Sequence, residues 1–236
     1  MANQTQRPDT ALHNTSHLMQ YHDLIESIVA AMDARDAYTA KHSDRVADMV
    51  LVLANALDLS EDETTLLHMA AHLHDIGKIA VPDSVLRKAG PLTNPEWEEM
   101  RRHPVTGYEI LRKVDDFKEI AVLVRHHHER WDGRGYPDGL RGADIPLGSR
   151  ILAVADSIDA MMSSRSYRPA MTSAACRREI ERNSGIMYDP CVAAAALEHW
   201  DELVSRYAEA DTPQTPYFDR MQLEHTRQAH DYLSLI

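Results

Sequence analysis

Two stretches of this chain repeat one register, and each ends in histidine. Leu66, Met69, Ala70, Leu73 and His74 stand at i, i+3, i+4, i+7 and i+8, and so do Ile120, Leu123, Val124, His127 and His128. This spacing marks one face of a helix; a strand would alternate every second residue. A chain built on such segments must bury helix against helix, and it carries imidazoles inward with its apolar side chains. Val46, Met49, Val50 and Leu53 form a third stripe, with His42 one turn ahead of Val46 on the same face. Leu152, Ala155, Asp156 and Asp159 form a fourth, which turns two carboxylates toward a face that ought to be buried. A buried carboxylate costs several kcal/mol unless it is paired or holds a metal.

The boundaries of these helices are written in caps and breakers. A first helix is expected from about Ser16 to Ala34 and a second from Tyr38 to Leu57. Ser60 and Glu63 form a capping box that opens the helix carrying His74, and Gly77 suits its stop. Ile79 to Asp83 reads as extended. Thr93 and Glu96 form a second capping box, whose short helix ends near His103, with Pro104 as the first residue of the next. Helices follow from near Ser149, from Thr172 to Asn183 with a stop at Gly185, and from Asp189-Pro190 to about Ala210. Ala, Leu and Met are frequent and Phe occurs twice in 236 residues, which fits an all-α fold. The expected organisation is an N-terminal extension over 1–20, one catalytic domain over 21–210, and a linker with a helix-compatible tail over 211–236.

Five of the nine glycines, at 133, 135, 139, 142 and 148, fall between Glu129 and Gly148 together with Pro137 and Pro146. Such a stretch is an ordered loop if something packs against it. Tyr136, between Gly135 and Pro137, is expected to have an exposed ring with a fixed exit direction, or else to fold onto the surface.

A formal net charge of −12 argues against a polymeric nucleic acid as partner, since phosphate backbones require clustered Lys and Arg. Cys176 and Cys191 form no C-x-x-C pair, which fits a reducing cytoplasm. There is no signal peptide and no apolar run long enough for a membrane span, so a cytoplasmic protein is expected.

The chemistry gathers in His72-Leu73-His74-Asp75-Ile76-Gly77-Lys78. Its adjacent His and Asp offer an imidazole and a carboxylate able to bridge, a set suited to first-row metals that activate water, with Lys78 supplying positive charge. His42, His74, His103, His127 and His128, with Asp75 and Asp156, come from separate predicted helices and suffice for two metals sharing a bridging Asp. His126 is turned away from that face. Arg165 and Arg168 follow Asp159, and either pair with it or bind phosphate.

The order His42, then His74-Asp75-Ile76-Gly77-Lys78, His103, His127-His128-Glu129, the Trp131-Asp132-Gly133-Arg134-Gly135-Tyr136-Pro137 loop and Ala155-Asp156-Ser157-Ile158-Asp159-Ala160 resembles the HD-GYP domain, a branch of the HD phosphohydrolases. The resemblance covers about residues 20 to 205. It implies an HD-domain helical bundle with a Gly-rich GYP loop, and a phosphodiesterase that hydrolyses cyclic di-GMP to pGpG or GMP with a metal-bridging hydroxide. The alternatives are a poorly active cyclic di-GMP-binding adaptor and a phosphodiesterase for a mixed GMP-AMP cyclic dinucleotide.

Carried over by position, His42, His74, Asp75 and Asp156 hold one divalent ion, and Asp75, His103, His127 and His128 the other. Iron is favoured and manganese is the alternative. His74, Asp75 and Lys78 have catalytic roles, and Lys78, Tyr136, Asp159, Arg165 and Arg168 match positions near the substrate or behind the ligands. A Glu that helps some members hold a third metal is replaced by Tyr38, so two ions are expected. Arg168 stands where Lys is common. A diguanylate cyclase (GGDEF) contact through the loop and a homodimer are also expected.

Overall fold

The computed structural model describes residues 21–35, 41–163 and 170–208. These form α1 (His22–Arg35), α2 (His42–Ala56), α3 (Glu61–Leu73), α4 (Asp83–Leu86), α5 (Asn94–Met100), α6 (His103–Leu111), α7 (Lys118–His126), α8 (Leu147–Met162), α9 (Ser173–Asn183), α10 (Pro190–Glu198) and α11 (Trp200–Ala208). Single 3-10 turns cover Ile76–Ala80, Asp115–Phe117 and Gly142–Asp144. Among the described residues there is no strand, only an isolated bridge between Ser184 and Tyr188, so the chain is all-α as expected. Contacts divide it into Met1–Leu203 and Val204–Ile236, and of the second unit only residues 204–208 are described. The expected extension over 1–20 and the tail over 211–236 lie outside the described residues.

The core is organised on α3. Leu67, His68, Met69, Ala70, Ala71, His72 and Leu73 are all buried, so its last two turns meet protein on every side. The single stripe expected there understates the burial; a helix enclosed all round is a core helix. α2, α7 and α8 pack against it on the metal-ligand side, and α1 packs on it as well. The stripe of α2 behaves as its spacing demands, with Val46, Val50 and Leu53 fully enclosed and His42 buried beside them.

The capping boxes form as written. Ser60 Oγ accepts from Glu63 N at 3.3 Å while the Glu63 carboxylate accepts from Ser60 N at 3.0 Å, and Thr93 and Glu96 repeat the arrangement. Two expectations need correction. Ile79 to Asp83 is extended only at Val81 and Pro82: the 3-10 turn runs to Ala80 and α4 begins at Asp83, with Val81 and Val85 buried against the core. The helix after Asp189 does not continue to Ala210: it breaks at His199, and Trp200 then buries its ring with Nε1 donating to Ser173 Oγ at 2.8 Å. The helix bearing Asp156 begins at Leu147, near Ser149 as expected.

Candidate metal centre

α3 delivers His74 and Asp75 by ending between them. His74 is its C-cap, and the chain tightens into the 3-10 turn over Ile76–Ala80, so two neighbouring residues direct their side chains into one space. Gly77 does not stop the helix by left-handed freedom; its conformation is ordinary. It is required by contact, because a Cβ at that position would lie 1.9 Å from His103 O and 2.6 Å from Gly107 N. Only a bare Cα lets this turn seat against the start of α6, which brings Asp75 within reach of His103.

Asp75 stands between two groups of nitrogen donors. Its Oδ2 is 3.4 Å from His74 Nε2 and 3.8 Å from His42 Nε2, and its Oδ1 is 3.4 Å from His103 Nε2. Asp156 Oδ1 completes the first group at 3.4 Å from His42 Nε2 and 3.9 Å from His74 Nε2. His103, His127 and His128 form the second group, with rings 4.0 to 5.3 Å apart. His42, His74, His103 and His127 are buried, whereas His128 is half-buried.

The hydrogen bonds behind these rings fix which nitrogen is left over. His74 Nδ1 faces Ala71 O at 2.7 Å, His103 Nδ1 faces Met100 O at 2.8 Å and His127 Nδ1 faces Val124 O at 2.6 Å. A carbonyl can only accept, so each Nδ1 carries the proton, and a neutral ring presents a bare lone pair at Nε2. Burial, assisted by the neighbouring imidazoles, holds His127 well below the usual histidine range, and burial brings His103 down to about 4. Both are therefore neutral at pH 7, yet their two Nε2 lone pairs point at one another across 3.3 Å. Such a pair is stable only with a cation between its members.

His42 Nε2 and His74 Nε2 also lie close, 3.2 Å apart. Although burial opposes it, the Asp75 and Asp156 carboxylates push His74 up to about 9: in the metal-free state a proton stands where the donor set calls for a positive charge. Against the upward push of burial, the Lys78 ammonium, 2.5 Å from Oδ2, and the His74 ring hold Asp75 well below the usual carboxylate range. Neutral imidazoles, a bridging carboxylate and a terminal carboxylate together fit a pair of divalent first-row ions.

The glycine-rich loop is folded onto the second group. Tyr136 N donates to His128 O at 3.2 Å, and a Cβ on Gly135 would come within 2.4 Å of Arg130 N, so here too glycine is a matter of close approach. Buried Glu129 accepts the backbone N–H groups of Asp138 at 2.7 Å and Gly139 at 3.0 Å, and Arg125 holds the Asp138 carboxylate with two bonds of 2.7 Å. His126 faces away from the centre and bonds Asp138 at 2.9 Å. The Tyr136 ring is half-buried, contrary to an exposed exit: it packs 4.9 Å from the His128 ring, with the Arg101 guanidinium 4.6 Å from its centroid.

Asp159 lies behind His42. Its Oδ2 accepts from His42 Nδ1 at 2.7 Å and its Oδ1 from Arg45 Nε at 2.5 Å, which puts it in the position of a carboxylate that orients that imidazole. Arg165, Arg168 and Tyr38 lie outside the described residues. Sequence reasoning missed Arg45 and Arg101, which carry no periodic signal. It also passed over His68 and His72, whose i, i+4 spacing was visible.

The HD domain model matches residues 23–192. The chain belongs to the HD-domain family. Its His74–Asp75 pair and Gly-Tyr-Pro loop are the motifs by which it resembles the HD-GYP branch. The HD domain is 44% identical over 175 residues to the cyclic di-GMP phosphodiesterase response regulator RpfG of Xanthomonas campestris, covering 73% of this chain and 46% of that protein. It is 40% identical over 188 residues to the 3'3'-cGAMP-specific phosphodiesterase 2 of Vibrio cholerae, covering 78% of this chain and 35% of that one. The chain thus spans half or less of these relatives' length. In fold it is similar to the crystal structure of a cyclic GMP-AMP-specific phosphodiesterase of V. cholerae, with a TM-score of 0.59 at 21% identity, covering 76% of this chain and 48% of that one.

Proposed function

We propose that the chain is a metal-dependent phosphodiesterase that hydrolyses cyclic di-GMP to pGpG, GMP or both. The observation that carries this reading is the close pairing of imidazole Nε2 atoms, at 3.2 and 3.3 Å, on either side of Asp75. A first ion would take His42, His74, Asp75 and Asp156, and a second Asp75, His103, His127 and His128. Bound there, such ions supply Lewis acidity toward a phosphoryl oxygen and lower the pKa of water. Histidine-rich ligation with a bridging carboxylate suits iron, with manganese as the alternative.

The chain's own residues supply the rest. Asp75 and Asp156 hold negative charge that the ions balance, and the backbone carbonyls of Ala71, Met100 and Val124 fix the tautomers of three ligand rings. Lys78 brings an ammonium to the same carboxylate edge, where it stabilises negative charge developing on a phosphate. Tyr136 and Arg101 present an aromatic face and a guanidinium beside His128, suited to a base and a phosphate of a cyclic dinucleotide. Arg165 and Arg168 belong to this proposal as phosphate contacts. So do a diguanylate cyclase (GGDEF) contact at the exposed loop edge of Arg134, Asp138 and Gly139, a homodimer, and a cytoplasmic setting in bacteria. Among the described residues no helix is long and apolar enough to cross a membrane.

The test is hydrolysis of cyclic di-GMP by protein reconstituted anaerobically with ferrous iron or manganese, against His74→Ala/Asp75→Ala. Turnover that is lost in the variant, with about two ions per chain in this centre, supports the proposal. Preference for 3'3'-cGAMP under the same conditions moves the substrate to the one named for the V. cholerae relative, and absence of turnover on both despite full loading overturns the reading.

A further inference from the structure

Away from this centre, the described residues bring together three more buried imidazoles. His22 opens α1, while His68 and His72 stand on the opposite side of α3 from the HD ligands; their relative exposures are 7%, 4% and 7%. His68 and His72 are i, i+4 neighbours, and their Nε2 atoms lie 3.2 Å apart. Two nitrogens at about 2.0–2.1 Å from one tetrahedral ion are themselves about 3.3 Å apart. The paired nitrogens of the HD centre have this same separation, at 3.2 and 3.3 Å.

His22 closes the group from α1. Its ring stands edge-on to that of His72 at 5.9 Å and nearly parallel to that of His68 at 6.4 Å, and each of the three offers a nitrogen within 4.8 Å of the others. Two carboxylates border the group. Asp44 Oδ1 is 3.7 Å from His72 Nδ1, an atom with no hydrogen-bond partner of its own, and Glu26 Oε1 is 3.6 Å from His22 Nε2. The first is placed as the carboxylate that orients a metal-bound imidazole, the second as a carboxylate within reach of a fourth ligand position.

We propose that His22, His68 and His72 form a second metal site, distinct from the HD centre, which binds a divalent first-row ion of the zinc class and ties α1 to α3. Nitrogen donors with at most one carboxylate select zinc over magnesium or calcium. The site gives α1 a second anchor. Its other end is already fixed by Arg35, whose guanidinium donates to the carbonyls of Lys78, Ile79 and Val81 in the turn after Asp75. α1 would then be held at one end to the helix before His74 and at the other to the turn that follows it.

The experiment uses the full chain loaded with zinc and freed of excess metal. Anomalous diffraction at the zinc edge is expected to show a peak among the three imidazoles, separate from the HD centre. His68→Gln and, independently, His22→Gln are each expected to carry one zinc fewer per chain than the wild type, with the helical circular dichroism retained. Zinc-loaded crystals without density at His22, His68 and His72 overturn the proposal, as does either folded variant that keeps the wild-type zinc count. Should a variant fail to fold, the anomalous map alone decides.

Discussion

Replacing Asp159 should weaken one ion of the centre and spare the other. Its carboxylate accepts from His42 Nδ1 at 2.7 Å and from Arg45 at 2.5 Å and 3.2 Å, and it makes no contact with His103, His127 or His128. A carboxylate that orients a ligand imidazole is worth about 10–100-fold in metal affinity, or about 1.4–2.7 kcal/mol. Asp159→Ala should therefore lower affinity at the His42 side by that factor, while the ion on the His103 side stays within about threefold. Breaking a buried charge pair costs about 3–5 kcal/mol. Arg45 keeps a quarter of its side chain exposed, so the lower end applies, and a drop in Tm of about 6–12 °C follows for a domain of this size.

The pH dependence has a definite sign. His42 and Arg45 outweigh burial and hold Asp159 well below the usual carboxylate range, so its stabilisation is complete above the unfolded pKa of about 3.9 and is lost only as the pH falls below it. Asp159→Asn, which keeps one acceptor oxygen but not the charge, should flatten that acid limb and show a smaller Tm loss than Asp159→Ala. The assay is titration of the metal-free protein in buffers of fixed free metal concentration, with calorimetric Tm against pH. Equal weakening of both ions, or of neither, refutes the assignment of Asp159 to His42 alone.

Three further predictions rest on the same geometry. Because His74 is pushed up to about 9, it carries a proton at pH 7.5 in the metal-free protein, and metal loading should release about one proton per chain, read by calorimetry in buffers of different ionisation enthalpy; no release refutes it. The stabilisation from His74 in that metal-free state is full below about pH 6.5 and declines as the pH rises through about 9. Gly77→Ala puts a methyl group 1.9 Å from His103 O and should cost at least about 3 kcal/mol, lowering Tm by about 6–12 °C and separating Asp75 from His103; an unchanged Tm and metal content would show that the turn seats differently. Tyr136→Ala should raise KM for a cyclic dinucleotide about tenfold through loss of stacking, with Tyr136→Phe close to wild type; equal loss in both would assign the effect to the hydroxyl.

The sequence made the metal ligands legible because residue type and register coincide there. His42, His74, His127 and Asp156 lie on apolar stripes, and an ionisable group on such a stripe is tolerated only when it is paired or holds an ion. What it hid depends on contacts between distant segments. Gly77 looks like a helix stop until the backbone of His103 is known to press against it, and no local pattern carries that information. Arg45 and Arg101 carry no local signal, since only the packing of α8 against α2 and of the loop against His128 gives them partners. His68 and His72 fall off the expected stripe of α3, although their spacing is a ligand spacing. It is the arrival of α1, with His22 at its start, that buries them.

One structural device serves the whole centre. If α3 continued one more turn, successive side chains would diverge by about 100° and Asp75 would point away from His74. The change to a 3-10 turn at Ile76, made possible by the bare Cα of Gly77, brings the two side chains together. The same change lets Asp75 turn one oxygen toward His42 and His74 and the other toward His103. The adjacency of His and Asp in sequence is therefore useful only because the helix ends between them, and a substitution that lengthens α3 should damage both metal positions even though it touches no ligand.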